Sequence, residues 1–151
     1  MIQEHEALRR LIHLSGRLLD AQDFGKYAAL YSEAGQYRLV VKAPEVARPM
    51  TWVHLSRQEL GALLDSAPQH VWNTGERNHL ISVEDLEVQG EGARSTAGFC
   101  VFHTDSGGAS RVYAVGRYED TWTKESNDWR LLERVARLRT RSLSPSSAIP
   151  L

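Results

Sequence analysis

The stretch GERNHLISVEDLEV, Gly75 to Val88, sets a histidine, His79, at the entrance to a run in which Leu80, Ile81, Val83, Leu86 and Val88 are ready for burial. An imidazole there can act as a general base, ligate a metal, or sit as a hydrogen-bonded ring in the wall of a core. Tyr27, Tyr31, Tyr37 and the acids Asp20 and Asp23 are the other groups that could handle protons. Each has a plainer use. Aromatic residues at helical spacing usually fill a core, and a carboxylate beside a helix start usually caps it. The metal reading of His79 lacks a second ligand at site-like spacing.

Two further motifs carry less. His103-Thr104-Asp105 has the first two members of a 2-His-1-carboxylate iron site, but no histidine follows it, and it reads as a strand end running into the DSGG turn. The single cysteine, Cys100, lies in GFCVFH, has no partner for an internal disulfide and reads as a buried thiol. It also cannot supply the two cysteines of a Rieske 2Fe–2S cluster. No metal is expected on this chain.

The formal net charge of −1 offers no broad field for nucleic acid. The basic concentration is ERVARLRTRS, where Arg137, Arg139 and Arg141 recur at spacing two, which on a strand puts them on one face. Without interleaved aromatics they read as a solvated or partner-facing surface rather than a nucleic-acid site. Among four tryptophans, Trp129 begins a strand and belongs to a core; Trp52 and Trp72 flank the irregular middle of the chain and suit an interface or a pocket mouth. No apolar run approaches the roughly 20 residues that span a bilayer, and the opening MIQEHEALRR lacks a signal-peptide core, so a cytoplasmic protein is expected.

The elements that must position these groups come helices first. Leu8, Leu11, Ile12, Leu18 and Leu19 keep helical spacing with Ser15 in the stripe. A short second helix follows with Asp20 or Asp23 as cap and Gly35 as stop. QYRLVVK reads as a strand, APEVARPM as a loop, and SRQELGALLDSA as a third helix with Ser56 as cap, Glu59 at the capping-box position and Pro68 as terminator. After Pro68 come four strand-like runs separated by QGEG, DSGGA and ESND turns, an antiparallel meander in which Gly98 and Gly116 permit sharp bending. With 151 residues and 42% hydrophobic content, one α+β domain is expected over 1–143, and the Ser/Pro-rich 144–151 as an extended or disordered tail.

LLDAQDFGKYAALYSEAGQY and VGRYEDTWTKESNDWRLLERVARL resemble the helix-helix-strand opening and final hairpin of the NTF2-like, cystatin-type cone shared by SnoaL-like cyclases, ketosteroid isomerase and scytalone dehydratase. Within it, LLD, NHLISVEDLEV, GRYEDTW and WRLLERVARLRTRSL look most like the beta, or small, subunit of Rieske-type aromatic-ring-hydroxylating dioxygenases, which carries an Arg-x-Arg-His-Leu-x-Ser-Asn run where this chain has GERNHLIS.

That resemblance implies a strongly curved sheet, mixed or antiparallel, with the N-terminal helices over its concave face. Tyr27, Tyr31, Tyr37, Trp72 and His79 then line the interior, and Trp52, Arg137, Arg139 and Arg141 serve an interface. It also implies a non-catalytic assembly subunit, as a homotrimer or heterohexamer, beside an alpha subunit that carries the Rieske cluster and mononuclear iron. The alternatives are a stand-alone hydratase, isomerase or cyclase using His79 as base with Asp20, Asp23, Tyr27 and Tyr31 on a small hydrophobic substrate, or a small-ligand binding module.

Overall fold

The computed structural model describes residues 1–42, 44–45, 47–70, 75–143 and 149–151, with the side chains of 67–70 left aside. Trp72 therefore lies outside the described residues. The chain runs α1 (Ile2–Asp20), α2 (Phe24–Ala28), β1 (Tyr31–Val41), β2 (Met50–Ser56), α3 (Arg57–His70), β3 (Glu76–Gln89), β4 (Gly92–Thr104), β5 (Ser110–Glu125) and β6 (Asp128–Leu138).

The six strands form one curved, unclosed sheet in the order β2-β1-β6-β5-β4-β3. β3 to β6 are the expected antiparallel meander, and the pairing of β1 with β6 is parallel, so the sheet is mixed. Two-residue connections set the register. Ser126 and Asn127 both have positive φ, 50° and 68°, and they close the β5–β6 hairpin between Glu125 and Asp128 as a type I′ turn. Register shifts at Val83/Asp85, Val101/Phe102 and Thr121/Trp122 bend the long strands. Gly116 stands at the tightest approach: a Cβ there would meet the Arg137 carbonyl and come within 2.7 Å of the Phe99 ring.

Strand alternation then gives the sheet two chemically distinct faces. Ala97, Phe99 and Val101 of β4, Tyr118 and Trp122 of β5, and Leu131 of β6 are buried on the inner face. Helix α1 lays Leu8, Ile12, Ser15 and Leu19 over the β3 side of that face. At Gly16 the two elements nearly touch, since a Cβ would lie 2.9 Å from Ile81 Cδ1 and 3.0 Å from His79 Cβ. α3 packs over β1 and β2, and α2 packs against α3 and α1.

Several expectations change. Tyr31 opens β1 instead of ending a helix, and α2 stops at Ala28; Gly35 is inside β1, where a Cβ would lie only 2.8 Å from the Leu131 and Ser32 carbonyl oxygens. The run MTWVHLS is an edge strand, β2, paired with β1. The capping box is as expected, with Ser56 Oγ accepting from Glu59 N at 3.2 Å and Glu59 Oε1 accepting from Ser56 N at 3.1 Å. α3 continues past Pro68 to His70, so the hydrogen bond lost at that proline does not end the helix as expected. Cys100 is half-buried on the outer face, in a row with Leu80 and Val115.

The start of α1 is bolted to the far end of the meander by Glu4, whose carboxylate accepts from Lys124 Nζ at 2.8 Å and Trp129 Nε1 at 2.6 Å. The hydrogen bonds from Lys124 and Trp129 hold the Glu4 carboxyl below the usual range. A depressed folded-state pKa means that the stabilisation is complete above the ordinary glutamate value of about 4.3 and is lost as pH falls through the lowered value. Thermal melts across that acidic window should show a loss of stability that Glu4→Gln flattens; an unchanged pH profile in the variant would remove Glu4 from the account.

Candidate functional site

The inner face carries a polar centre built from four strands and α1. His79, on β3, is met by Asp20 at the last residue of α1: Asp20 Oδ2 accepts from the His79 backbone N–H at 2.8 Å, and Oδ1 lies 2.5 Å from Nδ1. The His79 side chain is 1% exposed, and its Nε2 is buried without a hydrogen-bond partner. One carboxylate thus fixes both the backbone and the ring of the same residue, the geometry of a base and its orienting acid and equally of a clamp between helix and sheet.

Behind it lies an ion pair. Asp120 and Arg134 sit on the adjacent strands β5 and β6, where register pairs them directly. Arg134 Nε and Nη2 each donate to a different Asp120 oxygen at 2.9 Å, and Nη1 donates to Ser15 Oγ at 2.9 Å, whose own hydroxyl donates to the Ile12 carbonyl. Both side chains are essentially inaccessible. The guanidinium lies 3.9 Å over the Tyr118 ring, which in turn stacks on Phe99. Burial pushes the Asp120 carboxyl up while Arg134 pulls against it.

Tyrosines surround this pair. Tyr27 and Tyr31 share a hydroxyl–hydroxyl hydrogen bond of 2.9 Å, Tyr37 accepts from the Leu151 backbone N–H at 3.2 Å, and the Tyr118 hydroxyl is buried without a partner. Burial raises the pKa of all four hydroxyls, against the opposing pull of Arg134, so each stays protonated at neutral pH and serves as a donor and acceptor.

Of the residues expected from sequence, the structure brings together His79 with Asp20, and Tyr27 with Tyr31 and Tyr37. Asp23 is elsewhere: it caps α2, accepting from Lys26 N at 3.4 Å. Trp52 is 42% exposed on the edge strand β2. Arg137 is the member of the arginine series that lies inside β6, which ends at Leu138; all three nonetheless line one shallow groove of about 490 Å³ with Arg117, Pro44 and Pro49. Arg137 pairs with Glu119, and Arg141 with Glu45 at 2.7 Å. Asp120 and Arg134 were missed. Their signal is parity, since Arg134 falls with Ala136 and Leu138 on the face opposite to Arg137.

Residues 1–135 match the SnoaL-like domain model. This chain belongs to the SnoaL-like family. It is 31% identical to the methanesulfonate monooxygenase hydroxylase beta subunit of Methylosulfonomonas methylovora, over 97% of this chain and 86% of that one. It is 25% identical to the 2-aminobenzenesulfonate 2,3-dioxygenase beta subunit of an Alcaligenes species, over 96% and 97% of the two chains. Among solved structures, the beta subunit of a candidate aromatic-ring-hydroxylating dioxygenase from Novosphingobium aromaticivorans superposes with a TM-score of 0.85 at 20% identity, covering 97% of this chain and 95% of that one. An NTF2-like protein with a cystatin-like fold from the same species gives 0.70 at 22% identity, over 95% and 86%.

The donor set of this SnoaL-like chain does not fit a Rieske cluster. It has a single cysteine, and among the described residues no three His, Cys, Asp or Glu side chains gather around a common point. No described helix is long and apolar enough to cross a membrane.

The ion pair makes a sharp prediction. Asp120→Asn or Arg134→Met alone strands a buried charge and should cost about 3–5 kcal/mol, whereas Asp120→Leu with Arg134→Met should recover much of the loss. Denaturant titration of the three variants checks this, and a double variant no better than the singles would show that the polar centre cannot be replaced by packing.

Proposed function

We propose that this SnoaL-like chain is a non-catalytic, beta-type assembly subunit of a cytoplasmic oxygenase acting on an aromatic or sulfonated substrate. It would pack as a trimer beside an alpha subunit that carries the Rieske cluster and mononuclear iron. The observation that carries this is the match, across almost the whole of both chains, to beta subunits of a methanesulfonate monooxygenase and a 2-aminobenzenesulfonate dioxygenase. The site chemistry agrees. Burial raises rather than lowers the tyrosine pKa values, the Asp120–Arg134 pair satisfies itself, and the Ser15–Arg134 and Asp20–His79 contacts hold α1 to the sheet.

The outer face supplies surface for assembly. Leu80 and Val112 are more than half exposed and Val115 and Leu132 about one-third, while Trp52 and the groove of Arg137, Arg139 and Arg141 lie on the β1–β6 side. Burial of such apolar and arginine-bearing surface against copies of itself or the alpha subunit is the expected use. Co-expression with a Rieske-motif alpha chain should give a stable complex on sedimentation, and the chain alone should sediment as an oligomer at micromolar concentration. A monomer in both conditions overturns the proposal.

A second reading, a stand-alone hydratase, isomerase or cyclase, is favoured by one observation: His79 Nε2 is partnerless while Asp20 orients the ring. His79→Asn separates the two. As a clamp, its loss should cost on the order of 1 kcal/mol in melting experiments and leave turnover of the reconstituted oxygenase nearly intact. As a general base, its loss should cut turnover roughly a hundredfold in a folded, stable protein.

A further inference from the structure

Of the expected disordered tail, residues 149–151 are described, and Pro150 and Leu151 lie inside the molecule. Leu151 is 2% exposed within the hydrophobic core, and Pro150 is buried beside it. Two side chains hold this dipeptide. Tyr37 Oη, on β1, accepts from the Leu151 backbone N–H at 3.2 Å, and Arg77 Nη1, on β3, donates to the Pro150 carbonyl at 3.4 Å. These strands are well separated in the sheet order, with β6, β5 and β4 between them. The dipeptide therefore bridges the concave face from one side to the other.

The seat it occupies has the features of a binding site. Its apolar part takes an isobutyl group. Its polar part is a guanidinium, set 4.9 Å over the Tyr113 ring, and a tyrosine hydroxyl that burial keeps protonated. That hydroxyl accepts from Leu151 and retains its own proton for donation. Arg77 and Tyr37 together can thus present donors to a carboxylate, which a carbonyl oxygen engages in part. Further in, the Tyr118 hydroxyl is wholly buried and partnerless, and it feels the field of Tyr37 and Tyr27, so the interior behind the seat has unused hydrogen-bonding capacity. Arg77 is also two residues from His79 on the same face of β3, roughly 7 Å along the strand, which puts the seat at the approach to the Asp20-oriented imidazole.

We propose that the Arg77–Tyr37 seat is a binding site for small apolar carboxylates, which the chain's own Pro150–Leu151 occupies as an intramolecular stopper. A ligand must displace the dipeptide, so its apparent affinity for the intact chain is reduced by the fraction of molecules whose seat is open. This holds for the isolated chain and does not depend on an iron-bearing partner, so assembly and occupancy of the seat can fail separately.

The probe is 4-methylpentanoate, which joins the leucine side-chain body to a carboxylate. Calorimetric titration should show at least about tenfold tighter binding to Leu151→Gly than to the unaltered chain, and loss of that gain when Arg77→Gln is added. Equal affinity in the unaltered and Leu151→Gly chains, or indifference to Arg77→Gln, overturns the proposal. Should Leu151→Gly fail to fold, amide exchange in the unaltered chain decides: 4-methylpentanoate should speed exchange of the Leu151 N–H where the same concentration of acetate does not. Exchange unmoved up to the solubility of the salt means that the dipeptide is permanent core and no ligand site lies beneath it.

Discussion

The interior of this cone is organised around the Asp120–Arg134 ion pair, because two charges withdrawn from water constrain everything near them. The desolvation cost is several kcal/mol per ion and is offset only when geometry and the remaining hydrogen bonds are nearly complete. Here the guanidinium has its carboxylate bidentate, its third contact on Ser15 and its face on Tyr118. Each partner comes from a different element, so the pair fixes the β5–β6 register and the position of α1 together. Sliding the helix by one turn would cost the buried Arg134 its hydrogen bond to Ser15. Hydrophobic burial by Leu8, Ile12 and Leu19 drives α1 onto the sheet but is far less particular about where it stops.

The sequence made legible the parts that depend on local periodicity. The stripe of α1, the Ser56/Glu59 capping box and the meander from β3 to β6 follow from spacing and turn residues. What it hid depends on sheet parity across bulges. ERVARLRT reads as a basic surface because Arg137, Arg139 and Arg141 draw the eye, yet Arg134 has the opposite parity. The shift at Thr121/Trp122 is what sets it opposite Asp120. The edge strand β2 was obscured by the prolines before it, and Tyr31 by a helix-like spacing from Tyr27 that a corner at Ala29–Leu30 interrupts. The burial of Leu151 had no local signal, since a Ser/Pro-rich segment gives no periodicity from which docking can be read.

The Asp20–His79 contact shows why geometry alone describes a clamp and a catalytic base in the same words. Both require a carboxylate on Nδ1, and both hold the ring rigidly. The difference lies at Nε2, which a base must present to a reacting proton and a clamp need not. In this chain the neighbouring hydroxyls belong to tyrosines kept protonated by burial, and the approach along β3 is crossed by Pro150–Leu151. The imidazole is therefore well oriented but screened.

A sheet of this kind lets interior and surface carry separate tasks, because successive residues of one strand face opposite ways. His79 points into the polar centre while Leu80, its neighbour, is 57% exposed on the outer face; Arg134 is wholly buried while Arg137 lines an outer groove. A substitution at an outward position leaves the ion pair and the Asp20 contact untouched. A substitution at an inward position perturbs stability before it reaches any partner. The same cone can therefore support chemistry within, docking without, or both, and the residue types at each parity determine which. In this chain the inward polar groups are mostly paired with one another, and the outward row Leu80, Cys100 and Val115 is apolar across three adjacent strands. That distribution places the larger unmet demand for partners on the outside.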